Sequence, residues 1–371
     1  MPLTFPHFGS LKYVLVSLFH ELGRYDLVIP NKPSKKTFQL GSRYSPEFVC
    51  TPFKLTLGTF IESLERGADE LGMGGGHGYC RFRFYWQVQK IILEDLGYDC
   101  KWIRIDYEST RDMLQVMKSI SVGLNTLQTI RAFQIGWVKN RLTDLTDQLL
   151  FKYRAIEIEK GSSERIANEV FELIVSTRKM SKIRKLQKTI PKMFAENVEV
   201  DKKANPLKVV VNGEIYVVLE PALNLDIYKR LNGLGVITKT PVTLRRFIDV
   251  GQRLNPFKKM DFQIANSYGT KYVPYRVGGE TQENLGDAVL YKKKGWDGLI
   301  HLYPFTCMPE IIARSIFPQV SRENDMPVLS LVVDEHTGEA GFQTRLEAFV
   351  DLLESKRERK LKKSKSKIAR H

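Results

Sequence analysis

Four cysteines stand at positions 50, 80, 100 and 307, and three of them share a setting that could do chemistry. Cys80 follows a predicted strand, Glu70–Met73, and the glycine-rich loop Gly74–Gly78, and it precedes a predicted helix. Cys307 repeats that setting, after the predicted strand Gly298–Tyr303 and before a helix introduced by Pro309. Cys50 precedes a helix with Pro52 in its first turn, where a missing N–H costs nothing. Helix N-termini offer unpaired N–H groups and partial positive charge, which lower a thiol's pKa, and the thiolate is the form that ligates metal. Cys100 begins a strand on the opposite edge and reads as a small buried apolar residue. Paired C-x-x-C spacing and the ferredoxin run are both missing. Spacing alone leaves two readings open: a shared metal or redox site, or four unrelated buried thiols.

Other motif-borne chemistries have no footing. The chain has no G-x-G-x-x-G or G-x-x-x-x-G-K-[ST] loop, so Gly74–Gly78 and Gly278–Gly279 support no nucleotide claim. It also lacks a G-x-S-x-G elbow and an H-E-x-x-H helix.

The elements that must position the cysteines fall into an α/β pattern interrupted once. Residues 1–108 alternate helical periodicity (Leu11–Leu22, Pro52–Arg66, Phe82–Leu96) with short apolar runs (Asp26–Ile29, Glu70–Met73, Trp102–Ile105). Residues 109–205 change to long helical periodicity, with a helix start at Gly161-Ser-Ser-Glu164, and read as a helical insertion. Over 206–355 the α/β pattern returns, with predicted strands Leu207–Val211, Glu214–Leu219, Gly298–Tyr303 and Val328–Val333. Helices are expected there over Asn284–Lys293, Glu310–Ile316 and Thr344–Glu354. The expected fold is α/β, two parallel-sheet domains flanking a helical insertion.

The formal charge of +15 invites a nucleic-acid reading. Its distribution argues against one, because residues 356–371 carry nine Lys/Arg and one acidic residue and read as a disordered basic tail. The basic stretch Arg178–Lys192 reads as an exposed helix face. Four cysteines are too few for a disulfide framework, no run approaches a membrane span, and no signal peptide fits the N-terminus. A cytoplasmic setting is therefore expected.

Four segments carry a family resemblance: Tyr44-Ser-Pro-Glu-Phe-Val-Cys50-Thr-Pro-Phe-Lys54, Gly74-Gly-Gly-His-Gly-Tyr-Cys80-Arg-Phe82, Pro304-Phe-Thr-Cys307-Met-Pro-Glu310 and Asp334-Glu-His-Thr-Gly-Glu-Ala-Gly-Phe-Gln-Thr-Arg345. Together they resemble the 2-hydroxyacyl-CoA dehydratase D-component family, in its stand-alone activase-related branch. The resemblance covers both α/β regions and leaves the insertion unmatched. It implies flavodoxin-like domains and a 4Fe-4S cluster on Cys50, Cys80 and Cys307, alone or bridged to a second cluster, with one iron left for a non-cysteine ligand. It further implies an ATP-hydrolysing activator of the actin/hexokinase type that delivers low-potential electrons, and a homo- or hetero-oligomer with a related subunit. The implied activity is reduction or dehydration of a small substrate such as a 2-hydroxyacyl-CoA, through a one-electron ketyl-type radical. Arg81, Lys54 and Glu310 are candidates to tune the cluster, His77 to approach the open iron, and Asp334, Glu335, Glu339 and Arg345 to face the cleft or a partner. The competing expectation is a non-catalytic metal- or cluster-binding accessory protein, RNA-associated through its tail.

Overall fold

The computed structural model describes residues 1–75, 80–105, 110–248 and 260–368. The first parallel sheet holds β1 (Leu3–Thr4), β2 (Glu70–Gly74) and β3 (Lys101–Ile105), in the order β1-β2-β3. Leu27 adds a parallel bridge to Leu3 on the free side of β1. The expected strand Asp26–Ile29 is reduced to that bridge. The second sheet holds β4 (Lys208–Gly213), β5 (Ile237–Lys239), β6 (Gly298–Pro304) and β7 (Val328–Val333), in the order β5-β4-β6-β7. With the Leu27 bridge counted as a strand position, both sheets run in the order 2-1-3-4. That is a doubly wound order, in which ligand crevices open beyond the strand C-termini beside the first strand.

Helices α1 (Leu11–Glu21), α2 (Lys35–Tyr44), α3 (Thr51–Glu65) and α4 (Tyr85–Asp95) serve the first sheet, the last preceded by a 3-10 turn at Arg81–Phe84. The insertion supplies α5 (Thr110–Ile120), α6 (Thr126–Tyr153), α7 (Ser162–Ser176) and α8 (Met180–Asn197). As the Gly161 start requires, Glu157 caps α7 by accepting from the backbone of Gly161 and Ser163. The second sheet is dressed by α9 (Ile215–Leu219), α10 (Ile227–Gly233), α11 (Leu244–Ile248), α12 (Asp261–Gly269), α13 (Thr281–Lys293), α14 (Met308–Asn324) and α15 (Glu339–Ile368). The largest core joins insertion residues such as Ile135, Val170 and Ile190 to Val209, Val211 and Ile300 of the second sheet.

Two expectations fail for physical reasons. Glu214–Leu219, β-branched and strand-like, folds as α9, because Glu214 accepts from Val217 N and starts a helical turn at the sheet edge. Tertiary context overrides β-propensity there. The final helix does not end at Glu354 but runs to Ile368, so the basic segment from Lys356 is helical where disorder was expected. Lys356 and Lys360, one turn apart, both pair with Asp325, and Arg357 pairs with Asp297 at 2.9 Å.

The two halves repeat a helix crossing. In the first, a Cβ on Gly41 would lie 1.8 Å from Lys54 O, and one on Gly58 would lie 2.0 Å from Thr37 O. In the second, Gly269 stands in the same relation to Gln282 O and Gly286 to Ala265 O, each at 1.7 Å. The sequence separations match as well, so α2–α3 and α12–α13 are one packing unit used twice. Each unit sets the helix that precedes the third strand of its sheet. Gly286→Ala should destabilise the protein by about 2–3 kcal/mol through overpacking against backbone. Gly233→Ala, with nothing within 4 Å of its Cβ, should be neutral or stabilising. Urea unfolding of the two variants checks the contrast.

Candidate functional site

Each of the three singled-out cysteines is the residue just before a helix or helical turn, in extended backbone: Cys50 before α3, Cys80 before the turn at Arg81, and Cys307 before α14. Cys80 and Cys307 follow the third strand of their respective sheets, β2 and β6, and so occupy matching positions in the two halves. Cys50 and Cys307 are buried and Cys80 partly so.

Arg81 joins the three loops. Its guanidinium donates to Phe48 O at 3.0 Å and to Thr306 O at 2.6 Å, the first two residues before Cys50 and the second immediately before Cys307. Both acceptors carry positive φ, 59° at Phe48 and 66° at Thr306. For a β-branched threonine that conformation is a genuine outlier, and such strain persists only where surrounding contacts over-determine it. Two further contacts tie the halves beside Cys50. Thr51 Oγ1 donates to Val333 O at the end of β7, and Lys54 pairs with Glu335, which also accepts from Ser42 Oγ.

The electrostatics are those of a site short of positive charge. Burial pushes the Cys50 thiol up against the opposing effect of its hydrogen bond with Tyr85 Oη. Burial likewise pushes Cys80 up to about 11 and Cys307 well above its usual range, with the charge of Cys50 adding to both. The helix N-termini therefore do not make these free thiols acidic, contrary to the expectation from their placement, because desolvation outweighs the partial charge. Glu310 is fixed under Cys307 by His301 Nε2 at 2.8 Å and Asn284 Nδ2 at 2.9 Å, all three buried.

A residue missed in the sequence is Glu214, hidden by its assignment to a strand. It follows Gly213 at the end of β4, and its N–H donates to Leu302 O of β6, the strand that leads to Cys307. Burial pushes its carboxyl up to about 7, and its charge reaches Cys50, Cys80 and Cys307 alike. The signal available was Gly213-Glu214 directly after an apolar strand at a doubly wound crossover.

Other candidates have structural partners. Asp334 accepts from His336 N and Thr337 Oγ1 in a turn, and Glu339 pairs with Arg230. Arg345 lines a surface cavity of about 640 Å³ between α14, β7 and α15, away from the strand C-termini. His77 lies outside the described residues. Cys100 stands apart, as expected, its thiol influenced by Trp102, Asp99, Glu94 and Lys90 and not by another cysteine, but it is only partly buried where a buried residue was expected.

Neither a family model nor a curated protein matches the chain. The site therefore has to be judged by its own chemistry. Among the described residues, no three His, Cys, Asp or Glu side chains stand close enough to share one metal ion. A cubane cluster makes a different demand, because each thiolate binds a different iron and the ligand sulfurs stand further apart. Three soft sulfur donors, from loops held by one guanidinium, fit an iron–sulfide core better than a hard ion.

The raised pKa values set an order of thiol reactivity in the metal-free protein. At pH 8 a thiol titrating near 11 is thiolate on the order of 0.1 %, so Cys80 should label slowly, with a rate that climbs as pH rises toward 11. Burial raises the Cys100 thiol as well, but it is only partly buried and should label first. Cys50 and Cys307 should label last. In Arg81→Ala the Cys307 rate should rise roughly tenfold while Cys100 is unchanged, because local opening exposes the loop. Mass spectrometry of timed alkylation reads each site.

Proposed function

We propose that Cys50, Cys80 and Cys307 hold an iron–sulfur cluster of the 4Fe-4S type, and that the protein is a redox component that reduces or dehydrates a small substrate after receiving electrons from an ATP-hydrolysing activator protein. The observation that carries this reading is the Arg81 bridge, which fastens the loops of all three cysteines to one guanidinium. When bound, the cluster supplies one-electron transfer at low potential. The chain's own residues supply the rest. Cys50 and Cys307 are held in dry surroundings that exclude water, and Arg81 provides a cation beside an electron-rich group, which raises its potential. The resemblance to acyl-CoA dehydratases makes a 2-hydroxyacyl-CoA the first substrate class to test.

The surroundings support a protein partner at this face. Phe48, Phe84, Phe305, Met308 and Ile311 are exposed large apolar side chains, and each lies within four residues of one of the three cysteines. Exposed apolar residues grouped around a site mark an interaction surface. An activator, or a related subunit with its own cluster, would dock there.

The competing accessory role has less support. Thr51–Val333 and Lys54–Glu335 already tie the two halves together, so a structural metal is not needed to close them. Lys356, Arg357 and Lys360 are engaged with Asp325 and Asp297, which weakens the case for RNA binding through this segment. Among the described residues no helix is long and apolar enough to cross a membrane.

Anaerobic reconstitution of the wild type and the four single Cys→Ser variants, with iron and sulfide quantified, tests the reading. Wild type and Cys100→Ser should take up iron and sulfide in equal amounts, while the variants at positions 50, 80 and 307 lose most of both. Full retention in Cys307→Ser, or equal loss in Cys100→Ser, would contradict it.

A further inference from the structure

Three cysteines on a cubane leave one iron without a protein sulfur, and the structure offers a specific group for it. The inference rests on the cluster reading above. We propose that Glu214 provides the fourth, oxygen ligand of that cluster, so that the open iron is closed by a carboxylate of this chain in the resting protein.

The placement comes from the second sheet. Glu214 leaves β4 at the point where the doubly wound order reverses, between β4 and β6. Gly213 makes the exit possible: its φ is 135°, and a Cβ there would lie 1.7 Å from Leu302 O. No side chain with a β-carbon fits, so the backbone is held against β6 and Glu214 is set beside it, with its N–H 3.0 Å from Leu302 O. Two residues further along β6, Pro304 O accepts from Cys307 N at 3.2 Å. Glu214 and Cys307 thus leave neighbouring strands of one sheet at the same end. From the other side, Tyr216 Oη donates to His7 O at 2.7 Å, which fixes this turn against the loop that follows β1.

The carboxylate is also held in a way that suits a ligand. Oε2 accepts from Val217 N at 2.9 Å, which orients the group, while among the described residues no side chain donates to it and no cation pairs with it. This partly buried carboxylate takes its bonds only from backbone N–H groups, and its charge is felt at Cys50, Cys80 and Cys307. An iron left without a sulfur ligand would offer its oxygen a coordinate bond. Glu310 is the rival carboxylate, but its Oε2 already accepts from Asn284 and pairs with His301. Glu280, also buried nearby, faces Arg246 at 3.5 Å. Of the three, Glu214 is the one that is positioned and uncompensated.

A carboxylate ligand has a functional consequence. A carboxylate would be held less firmly than a thiolate, so Glu214 would shield the site from water and oxygen and would yield to a substrate oxygen, taking up a proton as it leaves.

The test uses the full-length protein reconstituted anaerobically, reduced by one electron, and examined by electron–nuclear double resonance in ¹⁷O-enriched water, with iron and sulfide measured on each sample. Wild type should carry a complete cluster with no water-oxygen coupling. Glu214→Gln and Glu214→Ala should keep the iron and sulfide and gain that coupling, as water enters. Glu214→Cys should restore a closed cluster of four thiolates, without water coupling, that releases iron to a chelator roughly tenfold more slowly than Glu214→Ala. Equal water coupling in wild type and Glu214→Ala would overturn the assignment and leave the three-cysteine cluster standing. Failure of the wild type to take up iron and sulfide would overturn the cluster reading itself, and this ligand with it.

Discussion

Arg81 makes two hydrogen bonds with one planar group, and the geometry of the site depends on them. Phe48 and Thr306 belong to different halves of the molecule, and Thr306 lies 225 residues along the chain from Arg81. A lysine would not hold both carbonyls in one fixed geometry, because its ammonium lacks the rigid fork of donors. Both carbonyls belong to residues with left-handed backbone, a conformation that costs on the order of 1–3 kcal/mol at non-glycine positions. Here the strain and the bridge support each other. The strained turns aim their carbonyls at the guanidinium, and the guanidinium holds the turns that present Cys50 and Cys307.

Behind this contact stands a repeated architecture. Both sheets follow the same strand order, and in each the helix before the third strand crosses its predecessor through a pair of glycines at the same spacing. Close crossing fixes how far each helix stands from its sheet, and so where the loop after the third strand emerges. Cys80 and Cys307 are the outcomes of that rule in the two halves. Cys50 has no cysteine counterpart in the second half, where Gly278 and Gly279 precede α13. The site is therefore asymmetric, three sulfurs rather than four, and the carboxylate of Glu214 enters from the second sheet.

Much of this was legible in the sequence where burial follows a simple period. Val328–Val333 is a strand at the expected bounds, Leu11–Glu21 is a helix within one residue of expectation, and the setting of Cys307 between strand and helix is as expected. Helices α2 and α12 were not anticipated, because they are short and make their closest contacts through glycine to backbone, which no apolar residue marks. Glu214 was lost for a related reason: Ile215, Val217 and Val218 read as strand residues, and only the approach of Gly213 to Leu302 shows why the chain must turn there. The helical course of the basic segment rests on Asp325 and Asp297, acceptors distant in sequence that no local pattern could supply. The three cysteines do stand at helix N-termini, but that placement does not make them acidic, since desolvation decides it.

The central claim is that one inorganic group spans Cys50, Cys80 and Cys307. Crystals of the anaerobically reconstituted protein, measured on both sides of the iron absorption edge, test it most directly. The account predicts one compact iron anomalous peak bonded to the Sγ atoms of those three residues, with none at Cys100. Iron bound elsewhere, or a peak touching only one of the three sulfurs, would contradict it.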